Sequence, residues 1–273
     1  EIDAENSNSC IFYYFQVGEV YPMLFDLQYP DSRSTATGAL KQPSNDISPG
    51  KALLAFSALK SFLREPFFDQ LRTKEQLGYI VFASPQISRT VYGFRVLVQS
   101  SVKSTYYLES RIKHFINNGL KDMVHNMTDE EFKKTIDSLR NSLEHSLKFK
   151  NLNEEFYAYS GKIYGGMYQF NANKLKLDNL ENLTKQDIID VFDKYILNDS
   201  TSKRLIVHLK GKNEKKLVDG SDFPANFPEG KLITNVGEFK SGFSLSASGR
   251  PLMDIEYYKS YRTNDDGDLD SKL

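Results

Sequence analysis

Histidine is the side chain best able to bind a metal or transfer a proton near neutral pH, and this sequence has four: His114, His125, His145 and His208. In a helical His-x-x-Glu-His motif, two histidines share one face and can bind zinc while the glutamate activates water. The segment most similar to this motif is Asn-Ser-Leu-Glu-His at 141–145, in which Asn141 occupies the position of the first histidine ligand. Because asparagine is a poor zinc ligand, we expect this chain to bind no catalytic zinc.

The other histidines and the common nucleotide and hydrolase motifs supply no stronger candidate. His114 and His125 are expected at or near the surface. His208 lies in a strand-like run of Leu and Val and is expected to be partly buried, with its polar atoms satisfied. The sequence contains neither a Gly-x-x-x-x-Gly-Lys-Ser/Thr phosphate loop nor a Gly-x-Ser-x-Gly nucleophile elbow.

A polar turn between a helix and a strand holds two further candidates, Arg72 and Tyr79. Arginine offers a fixed fork of donors for a carbonyl or an oxyanion, and tyrosine offers a phenol that can donate to developing negative charge. The alternative is that Arg72 forms an ion pair with Glu75 or Asp69, and that Tyr79 packs at the start of the strand. The residue types alone leave both interpretations open.

The elements on either side must position this turn. Apolar residues at helical spacing predict a helix over 51–71 that leads into it. Pro66 predicts a kink or break near Arg64 and Glu65. Gly78 stands where the helix would stop, and we predict a left-handed backbone conformation at this glycine.

Strands are predicted at 10–17, 79–84, 90–99 and 202–210, from alternating, aromatic or β-branched residues. Residues 1–9 are polar and are expected to be frayed. The two faces of the third strand differ in their side chains, and we predict that one of them is the more deeply buried. That face consists of Tyr92, Phe94, Val96 and Val98.

Amphipathic helices are predicted between the third and fourth strands. Thr128 and Glu131 form a capping box, and Thr184 and Asp187 follow the same capping logic. Because strands and helices are grouped along the chain, the sequence predicts an α+β fold. In that fold, helices pack on one face of a mostly antiparallel sheet.

Composition excludes several classes of protein. The chain of 273 residues has 35 basic and 36 acidic residues, which argues against nucleic-acid binding. The single cysteine, Cys10, suits a reducing compartment, and we predict a cytoplasmic location, with peripheral membrane attachment left open. No stretch approaches the ~18 apolar residues of a membrane span. The sequence does not begin with Met, and we expect it to be a piece of a longer protein.

One long segment carries a family resemblance. The run Glu-Pro-Phe-Phe-Asp-Gln-Leu-Arg-Thr-Lys-Glu-Gln-Leu-Gly-Tyr-Ile-Val-Phe at 65–82 closely resembles the C-terminal half of insulin-degrading-enzyme-like zinc metallopeptidases. This is the M16 (inverzincin) family, to which the a-factor pheromone-processing proteases of yeasts belong. Segments 107–111, 127–132 and 183–189 are similar to family segments in the same order, so the resemblance covers about 6–210.

The resemblance implies the fold and the domain organisation. The family fold is an α/β roll, and this chain corresponds to the fourth, C-terminal copy of it. We therefore assign 1–210 to the M16-like domain and 211–273 to an extended tail, partly disordered. Residues 19–50 contain four prolines and exceed the family's usual connection, which suggests an insertion.

The resemblance also implies a function. In this family the N-terminal half of the same protein binds zinc, and peptides are hydrolysed inside a closed chamber. The positions of Arg72 and Tyr79 face that zinc and contact the scissile peptide and the tetrahedral intermediate. Lys148 and Lys150 lie where insulin-degrading-type enzymes bind polyphosphates or ATP, although a solvated basic helix end explains these lysines equally well.

A second interpretation belongs to a different class. The chain could be a catalytically inactive M16-like module, kept for structure or peptide binding, and the absence of a zinc motif is compatible with both interpretations. The intact Arg72 and Tyr79 pair favours the peptidase domain, since a structural module has no evident need of it. The sequence leaves the physiological substrate open, and homo-oligomer formation is one option for assembly.

Overall fold

The structure is a computed structural model that describes residues 2–3, 6–19, 24, 27, 47–88, 91–149, 151–164, 170–212, 233 and 235–243. Its strands are β1 (Ile2–Asp3), β2 (Ser9–Glu19), β3 (Ile80–Ser88), β4 (Val91–Ser100) and β5 (Lys203–Gly211). Its α-helices are α1 (Pro49–Phe67), α2 (Thr105–Phe115), α3 (Lys121–His125), α4 (Asp129–Ser146), α5 (Leu152–Tyr164), α6 (Ala172–Asp178), α7 (Lys185–Phe192) and α8 (Val236–Ser241). The π-helical turns are π1 (Phe68–Lys74), π2 (Ile116–Leu120) and π3 (Asp193–Leu197), and a short 3-10 turn spans Leu180–Asn182.

The strands form one sheet in the order β1-β5-β2-β4-β3. β2 is antiparallel to both β4 and β5, and β3 is antiparallel to β4, whereas the two-residue β1 is parallel to β5. The prediction of an α+β fold with a mostly antiparallel sheet is confirmed. Residues 1–9 were expected to be frayed, but they contain β1 and the start of β2.

Among the described residues, helices cover one face of the sheet. Ile11, Tyr13 and Phe15 of β2 are buried, whereas Phe12 and Tyr14 between them are only half-buried. This alternation is expected of a strand with one face in the core. In β4, the face predicted to be the more deeply buried is indeed in the core. Its buried residues include Tyr92, Phe94, Val96 and Val98.

Helix α1 occupies the centre of the molecule. It contacts β3 on one side and α4 and α7 on others, and Phe56 meets Tyr92 and Phe94 edge-on, at ring-centroid distances of 5.7 and 5.9 Å. Residues 52–59 of this helix are buried on all sides, as an almost wholly apolar segment must be, whereas Lys60, Arg64 and Glu65 further along it are exposed. Its fully buried apolar residues include Ala52, Leu53, Leu54, Ala55, Phe56, Ala58 and Leu59.

The chain stays helical through Pro66, so the expected break near Arg64 and Glu65 is absent. Pro66 lies one residue before the end of α1, and the chain passes directly into π1, whose wider turn begins at Phe68. A proline removes one helical hydrogen bond and crowds the preceding turn. We attribute the change from α to π geometry to this disruption, which a wider turn accommodates without ending the helix.

Both predicted capping boxes are present. The Thr128 hydroxyl accepts from the Glu131 N–H while the Glu131 carboxylate accepts from the Thr128 N–H, and this exchange begins α4. Thr184 and Asp187 make the same exchange at the start of α7. Such caps satisfy backbone donors that a helix N-terminus leaves free.

The turn between π1 and β3 needs a glycine for space rather than for conformation. The residue with a left-handed backbone is Gln76, with φ of 51°, whereas the prediction placed this conformation at Gly78. A Cβ at Gly78 would lie 1.8 Å from the Gln99 carbonyl oxygen of β4. The absence of a side chain at Gly78 therefore allows the turn to lie directly against β4.

A buried charged cluster joins α2 to β5. Glu109 is 2 % exposed, and its carboxylate contacts His208 Nε2 at 2.8 Å and forms an ion pair with Lys113 Nζ at 2.8 Å. Burial raises the pKa of the Glu109 carboxyl, but the hydrogen bonds from His208 and Lys113 outweigh burial and bring the pKa below its ordinary value. The prediction that His208 is partly buried is confirmed, and its Nε2 is hydrogen-bonded to Glu109.

Several sequence predictions fall mainly outside the described residues. The proposed insertion at 19–50 is described only at its ends and at Leu24 and Leu27, which are both buried. In the predicted extended tail at 211–273, residues 235–243 include helix α8, whose first turn is capped by Asn235. Among the described helices, none has the length and apolar character required to cross a bilayer.

We predict that Gly78→Ala lowers the free energy of unfolding by about 3 kcal/mol or more, because the added methyl must displace backbone. Urea denaturation of the variant and the parent chain measures this difference. Gly161→Ala is the matched control, since a Cβ there meets nothing within 4 Å. In a helix interior that change should stabilise by about 0.5–1 kcal/mol. Equal stability of Gly78→Ala and the parent chain would contradict the close approach of this turn to β4.

We predict that Glu109→Gln reduces the acid sensitivity of the fold. Because the folded pKa of Glu109 is lowered, its contribution is present above the ordinary value of 4.5 and is lost as the pH falls through the folded pKa. Unfolding free energies measured in urea from about pH 6 downward should therefore fall less steeply in the variant. The control is Glu181→Gln, which alters an exposed ion pair with Arg140. The same slope in Glu109→Gln and the parent chain would show that this carboxylate does not carry the effect.

Candidate functional site

Arg72 and Tyr79 lie close together at one edge of the sheet. Arg72 belongs to π1, and Tyr79 immediately precedes β3, which among the described strands has a neighbour on one side only. The guanidinium carbon of Arg72 lies 4.9 Å from the ring centroid of Tyr79 and 4.9 Å from that of Phe68. The structure thus brings both predicted site residues into one cation–π group, together with Phe68.

This cation–π group projects from the surface. The side chain of Tyr79 is 82 % exposed and that of Phe68 is 44 % exposed. Buried residues anchor the turn beneath it, since Leu71 and Leu77 have no exposed surface and the Leu77 N–H donates to the Leu71 carbonyl at 2.9 Å. The backbone is therefore fixed below, while above it Tyr79 is exposed and Arg72 is half-buried.

The alternative ion pairs of Arg72 are not formed. Glu75 accepts instead from Arg111, and Asp69 pairs with Lys74 at 2.7 Å. Across the ranges the structure describes, no carboxylate forms an ion pair with Arg72. Its positive charge is left without a local counter-ion, a state that suits recognition of an external acceptor.

Glu75 is held by three donors. Arg111 approaches it as a fork, with Nε 2.6 Å from Oε2 and Nη2 3.0 Å from Oε1, and Gln70 Nε2 donates to Oε1 at 2.8 Å. Burial raises the pKa of this carboxyl, but these hydrogen bonds and the charge of Arg111 outweigh burial and bring it below its ordinary value. Glu75 therefore stays ionised near neutral pH.

The histidines are dispersed over the fold. His125 Nε2 lies 2.7 Å from Asp193 Oδ1, His114 contacts Asn118, and His208 contacts Glu109, so these three occupy separate places. His145 is exposed on α4. In the described part of the chain, no group of three or more His, Cys, Asp or Glu side chains is arranged to hold a metal ion.

Zinc does not fit the residues that most resemble a zinc motif. Asn141 and His145 both lie exposed on α4, one helical turn apart, and an amide oxygen replaces the first imidazole ligand. Lys148 is exposed just beyond the C-terminal end of α4, and Lys150 lies outside the described residues. These residues therefore add no metal ligand to the site at Arg72 and Tyr79.

Sequence reasoning missed two contributors to the site. The spacing of Phe68 and Arg72, four residues apart on a helix, is a usable signal, since residues at that spacing are neighbours. Arg111 lies 36 residues beyond Glu75, and no local pattern connects them. Only the packing of α2 against π1 brings this arginine to the turn.

Comparison with known proteins places this fold among peptidases. Residues 58–159 match the model of the family described as PQQ synthase PqqF-like, C-terminal lobe domain 4. The A-factor-processing enzyme of Saccharomyces cerevisiae is 36 % identical over 255 residues, covering 93 % of this chain and 22 % of that protein. The human insulin-degrading enzyme is 32 % identical over 200 residues, covering 69 % of this chain and 19 % of that protein.

Solved structures show the same fold. A crystal structure of pitrilysin superposes with a TM-score of 0.62 at 20 % identity, covering 89 % of this chain and 22 % of that one. The chain thus spans about a fifth of the length of the curated relatives named above. It is therefore comparable to one domain of those proteins rather than to a whole one. The chain belongs to the M16 family of metallopeptidases, whose members include insulin-degrading enzyme and the A-factor-processing enzyme.

Proposed function

We propose that this chain is the C-terminal domain of a zinc metalloendopeptidase and supplies Arg72 and Tyr79 to its active site. The observation that carries the proposal is the cation–π group, in which a guanidinium with no ion pair among the described residues lies 4.9 Å from a phenol ring. Both residues stand at the positions of the family motif whose resemblance implies substrate contact.

The two side chains suit the demands of peptide hydrolysis. The carbonyl oxygen of the scissile peptide gains negative charge as it passes to a tetrahedral intermediate, and donors aimed at that oxygen stabilise it. The Arg72 guanidinium can donate through its fork while the Tyr79 hydroxyl donates from the neighbouring position. A rigid turn reduces the reorganisation that such donors would otherwise need.

The remaining chemistry is assigned to a second part of the protein. Because the residues of this chain do not fit zinc, we assign the metal and its activated water to an N-terminal M16 half, which is the principal partner. Short peptides, of the pheromone-precursor or insulin-like kind suggested by the relatives' names, are the proposed substrates. The two halves close around them to form a chamber, so that opening and closing gate turnover.

Three further assignments accompany this proposal. Lys148, which is exposed, and Lys150 form a polyanion-binding site that is secondary to the peptidase site. The half-buried thiol of Cys10 suits a reducing compartment, and we assign the protein to the cytoplasm. We also assign 1–210 to the domain proper and 211–273 to a C-terminal tail, with Gly211, the last residue of β5, at the boundary.

We predict that Arg72→Ala and Tyr79→Phe each lower kcat of the full-length protein about a hundredfold, because each removes a donor to the developing charge. Tyr79 is exposed and Arg72 is half-buried at the surface, so unfolding free energies should change by no more than about 1 kcal/mol. Steady-state peptide hydrolysis and urea unfolding measure the two effects. Tyr157→Phe is the control, since Tyr157 is also a highly exposed tyrosine, on α5. Unaltered kinetics in both site variants would refute the assigned role.

We predict that this chain alone neither hydrolyses peptides nor binds zinc stoichiometrically, and that mixing it with the separately produced N-terminal half restores activity. Peptide cleavage and metal analysis on each part and on the mixture provide the measurement. Activity or stoichiometric zinc in this chain alone would show that it contains a metal site. A mixture that holds zinc and binds peptide but does not cleave it would favour a catalytically inactive module.

A further inference from the structure

We propose that Glu75 and Arg111 form a positioning pair that sets the orientation of Arg72 and Tyr79 for reaction. This inference rests on the proposed function, since it assigns a role to residues that act through the two donors. Neither residue of the pair belongs to the exposed cation–π group, and neither is assigned contact with the peptide. Their effect is on the backbone that carries the donors.

The contact between Glu75 and Arg111 is a bidentate ion pair rather than a single, loosely oriented surface ion pair. Two parallel hydrogen bonds of 2.6 and 3.0 Å join the Arg111 fork to the two carboxylate oxygens of Glu75. The side chain of Glu75 is 13 % exposed and that of Arg111 is 30 % exposed, so the carboxylate is largely shielded from water while the guanidinium remains partly exposed. Such bidentate pairs restrict orientation as well as distance.

The turn that Glu75 belongs to needs an external restraint. Glu75 directly follows π1, and its N–H donates to the Gln70 carbonyl five residues earlier, at 3.0 Å. The next residue, Gln76, has φ of 51°, a left-handed conformation that costs a non-glycine residue about 1 kcal/mol or more. A π-helical turn followed by such a residue is an unfavourable backbone that surrounding contacts must stabilise.

Helix α2 supplies this restraint from a fixed position. Leu108 and Ile112 of α2 are fully buried, and Phe115 meets Phe67 of α1 edge-on at 5.2 Å between ring centroids. Arg111 therefore extends from a helix that the core already holds. Its hydrogen bonds fix Glu75 relative to the core, and with it the end of π1.

The restraint reaches the donors through a short path. Arg72 lies three residues before Glu75 in the same turn, and Tyr79 lies four residues after it. Tyr79 is 82 % exposed, so its chief described contact is the Arg72 guanidinium at 4.9 Å. The direction of both donors therefore follows the backbone of π1, which Glu75 and Arg111 hold in place.

The test is a set of kinetic measurements on the full-length protein with short peptide substrates. Glu75→Gln and Arg111→Lys are each introduced into the intact protein and into an Arg72→Ala background. Glu75→Gln keeps the shape but removes the charge, and Arg111→Lys keeps the charge but removes the fork. The control is Asp69→Asn, an identical change of an acid to an amide in π1 that breaks the exposed pair with Lys74.

We expect Glu75→Gln and Arg111→Lys to lower kcat of the intact protein about tenfold, since small displacements of positioned groups cost large factors in rate. In the Arg72→Ala background each should lower kcat by less than about twofold, because one of the two donors they orient is gone. A merely structural pair would instead reduce the folded fraction, and hence the rate, by the same factor in both backgrounds. Asp69→Asn should leave kcat unchanged in either.

Two results would overturn the inference while leaving the proposed function intact. One is an equal loss of kcat in both backgrounds, and the other is no loss in the intact protein while Arg72→Ala is impaired. The proposed function fails separately if Arg72→Ala alone retains full activity, and the positioning role then fails with it. The Arg72→Ala variant by itself therefore distinguishes the two failures.

Discussion

Burial of residues 52–59 of α1 on all sides is the constraint on which the rest of this domain depends. A helix that is apolar around its circumference must lie between layers, so the sheet occupies one side and α4 and α7 occupy others. The direction of α1 then determines where π1 leaves the core, and π1 carries Arg72. The chain returns as β3 against β4, and Gly78 permits this return because only a residue without a Cβ fits beside the Gln99 carbonyl.

Polar residues of helix α2 connect the core to the turn that carries Arg72. Glu109 is bound by His208 of β5, and Arg111, two residues further on, binds Glu75 beside π1. One short helix therefore carries a carboxylate directed to the sheet and a guanidinium directed to the turn. Because breaking one partner of a buried pair is costly, both contacts disfavour sliding of α2 along its axis. The sheet and the turn are thereby linked through a single rigid element.

Local patterns were predictable from sequence, and contacts between distant segments were not. The capping box of Thr128 and Glu131 and the buried face of β4 follow from spacings of a few residues, and both are confirmed. The parallel pairing of β1 with β5 joins opposite ends of the domain, and no local signal reveals it. Within the turn, the sequence indicated that Gly78 is needed, but it predicted a left-handed backbone there, and Gln76 adopts that conformation instead. Gly78 is needed because it lies close to the Gln99 carbonyl, a tertiary contact that no local pattern reveals.

The placement of Arg72 and Tyr79 in one turn could be predicted, but the state of Arg72 could not, because it depends on what its neighbours bind. An exposed arginine between two acidic residues would ordinarily pair with one of them. Here Asp69 is taken by Lys74 and Glu75 by Arg111, so both nearby carboxylates are satisfied by other cations. Under the proposed function, in which another domain holds part of the substrate, this arrangement is favourable, since a donor already paired within its own domain would have to break that pair at every turnover. The lack of an ion pair to Arg72 among the described residues is therefore what the proposed divided active site requires.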